Sequence, residues 1–313
     1  MAAGWSIRCS SAARPGARTA NTYAVRADLH THTARSDGAL SPTELVRQAR
    51  AAGLEWIALT DHDSVAGIDE AIQAASKNGL QLIPGVELSV RDAAGIEDHL
   101  LGFFVEPAAP SLRDFLDQMQ RDREEMAERT MQTLDALGMH ITRERVRELA
   151  RGAVITRPHI ARAIVEAGYV ATEREAFDRF LGTGKPAAQP RPSPDPAQAI
   201  RAVNEAGGVA GLAHPVFPQD ADAEERLRTM PRRLDAMIEA GLQAVECDYP
   251  DSNPELSQRL RALARQRGLI VTGGSDYHGP GKAPFANLGE PSMDADVVER
   301  IRSARPARRG SRT

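Results

Sequence analysis

Six of the eight histidines stand at or beside the ends of short apolar runs. His30 and His32 follow YAVRADL, His62 follows WIALT, His99 opens HLLGFFV, His214 follows VAGLA and His278 follows LIVTGGSD. Carboxylates accompany them: Asp28, Asp37, Asp61, Asp63, Glu87, Asp276 and, further out, Asp248. Imidazole and carboxylate without thiolate form a donor set suited to Mn, Fe or Zn. In His30-Thr31-His32 the alternation of an extended segment puts both rings on one side, within reach of one ion. The candidate ligands outnumber what one ion can use. At least two metals are implied, about 3.5–4 Å apart and bridged by a carboxylate such as Glu87. Such sites polarise a phosphoryl oxygen and generate a nucleophile from water near neutral pH. Phosphate monoester hydrolysis demands accelerations of up to ~10²¹, whereas a single general acid or base gives ~10²–10⁴. Metal-assisted phosphoester hydrolysis is therefore the chemistry these residues suit. Ligation needs neutral imidazoles, so activity is expected to fall below a pH of ~6.5.

The elements that must position these groups are legible from pattern. From Tyr23 to Glu106, short apolar runs alternate with capped helices. Ser41-Pro42-Thr43-Glu44 reads as a capping box with proline in the first turn, and that helix closes at Gly53. A second helix runs from about Ile68 to Lys77 and ends at Gly79. LIPGVELSV and HLLGFFV read as strands joined through the turn Asp92–Gly95. Residues 111–181 carry almost no strand signal and predict one long charged helix followed by three shorter ones. The proline-rich GTGKPAAQPRPSPDP marks the far boundary. Alternation then resumes with AQAIRAVNEAGG before VAGLA, RRLDAMIEAG before LQAVEC, and PELSQRLRALARQRG before LIVTG. The simplest organisation is one βα-repeating α/β domain over 25–106 and 191–305, interrupted by a helical insertion at 107–190. Residues 1–24 read as a disordered extension and 306–313 as a loose tail. In parallel α/β barrels the loops after the strands open on one face, and such loops would gather the six imidazoles. The Gly-Gly pairs at 207–208 and 273–274 read as turns and barrel-end backbone.

Composition narrows the classes. The chain has 313 residues with 39 basic and 43 acidic side chains, a net charge of -4 that argues against coating nucleic acid by bulk charge. Aromatics at 4% do not support a base-stacking platform. Cys9 and Cys247 alone cannot build a disulfide framework or a thiolate cluster. No run approaches the roughly 18 apolar residues of a membrane span, and the first residues lack the apolar core of a secretory signal. A cytoplasmic protein with no membrane association and no obligate protein partner is expected. GxSxG elbows, Walker loops and GxGxxG contexts are missing from the sequence.

The segments DLHTHTARSDG at 28–38, LTDHDS at 59–64, GVELS at 85–89, HLLGFF at 99–104, LAHP at 212–215 and GGSDYHG at 273–279 resemble the polymerase-and-histidinol-phosphatase (PHP) superfamily. TRPHIARAIVEAG and FLGTGKPA in the insertion are similar to its branch of nucleoside 3′,5′-bisphosphate phosphatases and 5′-to-3′ exoribonucleases. The likeness covers nearly everything from 25 to 305. It implies a distorted seven-stranded β/α barrel with a trinuclear site, commonly loaded with manganese. By motif, His30, His32, Glu87 and Asp276 would hold one ion. Glu87 would bridge to a second, shared with His99 and His214, and Asp37, His62 and His278 would hold the third. Asp61 and Asp63 then fit support of the ligands or proton handling. Arg157 and His159, at a helix start, and Lys185, in a Gly-rich turn, are expected to grip a second phosphate; local capping is the other reading of Arg157 and His159. The chain departs from the branch at Ala187-Ala188-Gln189 and at Val216-Phe217-Pro218, where a nucleoside could be held. The resemblance implies removal of the 3′-phosphate from a small nucleotide such as adenosine 3′,5′-bisphosphate. Cleavage of a short 5′-phosphorylated RNA end, histidinol phosphate hydrolysis and a non-catalytic PHP module are the alternatives.

Overall fold

The computed structural model describes residues 26–150, 155–190, 193–250, 252–281 and 287–306. The expected extension 1–24 and, but for Pro306, the tail 306–313 lie outside the described residues. Eight strands form one sheet, β1 (Arg26–Thr31), β2 (Trp56–Leu59), β3 (Gln81–Arg91), β4 (Glu97–Phe103), β5 (Val209–Ala213), β6 (Ala244–Asp248), β7 (Ile270–Gly273) and β8 (Met293–Asp294), in the order β7-β6-β5-β4-β3-β2-β1-β8. Strands β1 to β3 are mutually parallel, as are β5 to β7, and β4 runs against both its neighbours. Where seven strands are expected there is thus an eighth. β8 pairs antiparallel with Arg26 and Ala27 at the start of β1 and is too short to show a period-two pattern.

The sheet curls until its ends nearly meet. Past β7 the chain runs beside the end of β1: the Ser275 amide donates to Asp28 Oδ1 at 2.9 Å, and the His32 amide donates to the Tyr277 carbonyl at 2.9 Å. Inside the curl sit Ala27, Leu29, Ala58, Ile83, Leu101, Phe103, Val209, Ala213, Ala244 and Ile270, all buried. Alternate residues such as Ile57, Leu59, Val86, Leu88, Leu100, Leu212 and Val245 face the surrounding helices, the two-sided burial expected of a parallel sheet covered by helices. Helix α10 (Ala295–Ser303), which the sequence reading does not anticipate, joins the inner cluster through Val298 and Ile301.

Two irregularities set which side chains face inward. Between Asp28 and Thr31, β1 advances three residues while β2 advances two, from Ile57 to Leu59. The extra residue is a β-bulge, and it changes the phase so that both Leu29 and His30 serve the interior. On β6 the register slips between Glu246 and Asp248. Glu246 keeps the inward phase of Ala244, and Asp248 is turned out of it to pair with Arg261.

The helices follow their local signals. α1 (Pro42–Ala51) begins at the Ser41/Glu44 capping box, and α2 (Ile68–Asn78) ends on Gly79 with φ 63°, the left-handed conformation glycine adopts without strain. α3 (Pro110–Ala136) has 27 residues, about 40 Å of helix. Its first half, through Leu112 and Met119, packs in the main core. Its second half, through Ala127, Met131 and Leu134, packs in a separate core with α4 (Arg143–Ala150), α5 (Arg157–Glu166), α6 (Glu173–Ala176) and the π-helical turn Phe177–Leu181. α7 (Pro196–Glu205) opens on an Asp195 cap and α9 (Pro254–Gln266) on an Asn253 cap. α8 (Ala223–Glu239) starts nine residues before Arg232, where the sequence pattern begins it, and runs through Pro231. Leu227 and Met230 are buried, and that burial holds the turns before a proline that cannot donate to the helix.

The close passage of β7 against β1 depends on Gly274. A Cβ there would lie 2.5 Å from both the Cβ and the amide nitrogen of His30. Gly274→Ala is expected to cost about 1–3 kcal/mol by overpacking, read as a lower urea midpoint at unchanged slope; an unchanged midpoint would contradict the closure described here.

Candidate metal centre

The carboxylate of Glu87, wholly buried on β3, is where the imidazoles converge. Its Oε2 lies 3.3 Å from His30 Nε2, 3.2 Å from His32 Nε2 and 2.9 Å from His62 Nδ1. Its Oε1 lies 2.9 Å from His99 Nδ1 and 3.0 Å from His214 Nε2. The fold explains the convergence. His30 and His32 come from the end of β1, His62 from just past β2 and His214 from just past β5. β4 runs the other way, so its contribution, His99, lies near its start. Ser89 pairs with His99, and His99 with Ala213, across the sheet.

Asp276 closes the group from the segment after β7, its Oδ1 lying 3.3 Å from His30 Nε2 and 3.0 Å from His32 Nε2. Its backbone is left-handed, with φ 48°. A second group forms beside it: His278 Nε2 is 3.3 Å from Asp37 Oδ1, His62 Nε2 is 3.8 Å from Asp37 Oδ2, and the His32 and His278 rings stack 4.2 Å apart. The His278 Nδ1 donates to the Asp276 carbonyl at 2.7 Å, which turns Nε2 toward Asp37.

Three sets of ligand atoms are close enough for each to hold an ion: His30, His32, Glu87 and Asp276; His32, Asp37, His62 and His278; and His62, Glu87 and His99. All nine residues expected to be ligands thus come together at one end of the sheet. His32, His62 and Glu87 each take part in two sets, and His214, in none of the three, stands 3.4 Å from His99 Nδ1. The donor chemistry fits divalent cations, and so does the hydrogen bonding. His30 Nε2, both nitrogens of His32, His62 Nδ1, Glu87 Oε2 and Asp276 Oδ1 are buried without a hydrogen-bond partner, although they face one another. Buried polar atoms are rarely left so, and cations among them would engage both carboxylate oxygens and one nitrogen of each ring.

Electrostatics agree. Burial disfavours a charged His32, but contact with Asp276 and Glu87 outweighs it and pushes its pKa up to about 10. Burial likewise opposes a charged His30, and the charges of Asp276, Glu87 and Glu246 overcome it and raise its pKa well above the ordinary value. Against the same burial, His62, His30 and His99 hold Glu87 far below the usual carboxylate range. His99 moves the other way, lowered by burial and by the neighbouring His62 and His214. Without cations, protons on imidazole supply the positive charge that the carboxylates require.

The remaining carboxylates support the backbone. Asp61 accepts from the Thr33 amide at 2.7 Å, the Thr33 hydroxyl at 2.6 Å and the Ser36 hydroxyl at 2.7 Å, fixing the loop that carries Asp37. Asp63 accepts from the Ser89 amide at 2.9 Å and from Arg123, a buried arginine of α3. Of the two roles open to Asp61 and Asp63, these bonds favour support of the ligands. Asp28 accepts from Ser275 and from the Gly289 amide at 2.7 Å. Asp248 is turned away toward Arg261. Two residues the sequence reading passes over matter here: Arg123, a buried charge within an amphipathic helix, and Glu246, a buried charge in the otherwise apolar AVEC. A charge where the pattern calls for an apolar residue was the available signal for both.

Arg157 lines a cleft of about 580 Å³ with Arg91, Thr183, Gln189 and Arg226. Arg91 pairs with Glu97, and Arg226 with Asp98 at 2.9 Å. Arg157 has no ion-pair partner among the described residues. His159 completes the α5 cap, its Nδ1 accepting from the Thr156 amide at 3.1 Å, and burial lowers its pKa. Lys185 is exposed at the turn after Gly184. His140 is exposed and pairs with Asp135, away from the cluster.

A raised histidine pKa stabilises the metal-free fold fully below the ordinary value of ~6.5, and that contribution is lost as pH rises through the folded value. The thermal midpoint of chelator-treated protein is therefore expected to fall from about pH 6.5 upward and to be still falling as His32 loses its proton near pH 10. Added Mn²⁺ should flatten the decline. A midpoint that rises over this range would contradict the charge balance described here.

Comparison with known proteins adds to the geometry. The PHP domain family matches residues 28–173. The chain is 36% identical to the 5′-3′ exoribonuclease Rnm of Salmonella typhimurium, over 88% of this chain and 92% of that one. It is 33% identical to the 3′,5′-nucleoside bisphosphate phosphatase of Chromobacterium violaceum, over 82% and 88% respectively. A crystal structure from Bifidobacterium adolescentis, described as a metal-dependent phosphoesterase, superposes with a TM-score of 0.75 at 35% identity, covering 90% of this chain and 96% of that one. The chain belongs to the PHP-domain family and is a metal-dependent phosphoesterase, a hydrolase of phosphoric ester bonds.

Proposed function

We propose that the chain breaks the P–O3′ bond of small nucleotides that also carry a 5′-phosphate, with nucleoside 3′,5′-bisphosphates as its substrates. The observation that carries this reading is the pairing of two features: the buried imidazole–carboxylate cluster, and a cleft, lined by Arg91, Arg157 and Arg226 with Glu97 and Asp222, in which Arg157 forms no ion pair among the described residues. The first suits the reacting phosphate and the second a phosphate that is only held.

His30, His32, Glu87 and Asp276, then His99 and His214 with Glu87, then Asp37, His62 and His278 would hold three ions, manganese on the family resemblance, with iron or zinc also suited to the donor set. When bound, divalent cations supply Lewis-acid polarisation of the phosphoryl group and lower the pKa of water. The chain's own residues do the rest. Asp61 and Asp63 fix the loops that carry Asp37 and His62. Phe217, its ring 5.1 Å from that of His214, offers an apolar wall for a nucleoside. The helices of 107–190 cap the site, with Arg157 and Lys185 as the positive groups on that side and the Nε2–H of neutral His159 as a further donor. These groups orient the substrate by its 5′-phosphate, so that the 3′-phosphoester lies over the cluster.

Cleavage of a 5′-phosphorylated RNA end is the second reading, and the same bond is at stake. In the bisphosphate the phosphoryl group passes to water and the 3′-oxygen gains a proton. In RNA the phosphate stays on the following nucleotide. The likeness to the 5′-3′ exoribonuclease Rnm supports this reading as well. The described residues include no helix long and apolar enough to cross a membrane.

The test is phosphate or mononucleotide release by Mn²⁺-loaded protein from a nucleoside 3′,5′-bisphosphate, a 3′-mononucleotide, histidinol phosphate and short 5′-phosphorylated RNA. The bisphosphate should be turned over well ahead of the 3′-mononucleotide, which lacks the anchoring phosphate; equal rates would overturn the anchor. Arg157→Ala should raise KM for the bisphosphate roughly 10–100-fold, the loss of one charged hydrogen bond, with kcat and metal content little changed. Asp276→Ala should lower metal content and activity together.

A further inference from the structure

Glu246 is a wholly buried carboxylate in the middle of a strand whose neighbours Ala244, Val245 and Cys247 are also wholly buried. Such a charge is costly unless its bonds are made. Both oxygens are engaged on the inner side of the barrel. Oε1 lies 3.2 Å from His30 Nδ1, and Oε2 accepts the His214 backbone amide at 2.8 Å. A carboxylate facing Nδ1 fixes the proton there and leaves the Nε2 lone pair exposed. That Nε2 is the buried, unpartnered atom 3.3 Å from both Glu87 Oε2 and Asp276 Oδ1. Through the amide, the same side chain also holds the backbone of the residue whose ring meets Glu87 Oε1 at 3.0 Å.

We propose that Glu246 is a positioning residue for the metal centre, setting the tautomer and ring orientation of His30 while anchoring His214, so that one side chain arranges ligands on both oxygens of Glu87. The inference rests on the metal-centre reading. Carboxylates behind ligating histidines raise ligand basicity and fix the ring, and their loss typically weakens metal affinity 10–100-fold. Glu246→Gln keeps the shape and one acceptor but turns an amide NH₂ toward either the His30 Nδ1–H or the His214 N–H, so one of the two bonds is lost.

Mn²⁺ affinity of the metal-stripped full-length protein is measured by calorimetric titration, with folding monitored by circular dichroism. Glu246→Gln should bind Mn²⁺ about 10–100-fold more weakly while folded, and Glu246→Ala more weakly still. A merely structural role would lower the thermal midpoint and leave the affinity of the folded protein unchanged, and that result would overturn the proposal. A wild-type protein that binds no divalent cation would overturn the metal-centre reading itself. Independently of any variant, ¹⁵N spectra of the Mg²⁺- or Zn²⁺-loaded wild type should show His30 protonated at Nδ1. Protonation at Nε2 would overturn the assignment even if both variants fail to fold.

Discussion

The arrangement at the end of the barrel follows from one electrostatic demand, the burial of the Glu87 carboxylate among five imidazoles within 3.3 Å. A lone carboxylate taken out of water would protonate or drive the structure apart. Here its charge is met from four strands, so the centre is also a joint between β1, β2, β4 and β5. Protons can meet that demand in part, as the raised pKa of His32 and His30 indicates. They leave six buried polar atoms without hydrogen-bond partners, and cations would engage the two carboxylate oxygens and one nitrogen of each ring among them. The cluster therefore contributes to holding these strands together.

The sheet meets the demand by departing from regularity. An uninterrupted β1 would direct either Leu29 or His30 inward but not both, and the bulge between Asp28 and Thr31 allows both. A uniformly parallel barrel would place His99 at the far end, and the reversal of β4 returns it to the cluster. The slip on β6 separates Glu246, aimed at His30, from Asp248, aimed at Arg261. Each irregularity lies within a few residues of the cluster, where bulges commonly re-aim side chains.

The long α3 connects two cores. Its first half is part of the barrel's packing and its second half belongs to the helical core around Ile160 and Ile164. Between them Arg123 reaches the buried Asp63, next to His62. Removing either partner of such a pair would leave a charge buried alone, which typically costs about 3–5 kcal/mol. The position of the helices that carry Arg157 is thus tied physically to the loop that carries His62.

Much of this was readable in the chain alone. Placement of His30, His32, His62, His99, His214 and His278 beside apolar runs identified a cluster, because the ends of successive strands share a face. Ser41-Pro42-Thr43-Glu44 and Gly79 marked helix ends, because caps act through neighbouring backbone. The donor types, imidazole and carboxylate without thiolate, set the class of metal chemistry. The tertiary structure decided the rest: an eighth strand of two residues, α10, the early start of α8, the choice of Glu246 over Asp248, and the pairing of Arg123 with Asp63. These depend on register slips and on partners far apart in the chain, such as His30 and Glu246, 216 residues from each other. Local periodicity carries the type of each residue and its phase within one strand. Which phase points inward, and what stands opposite, is determined only when the strands pair.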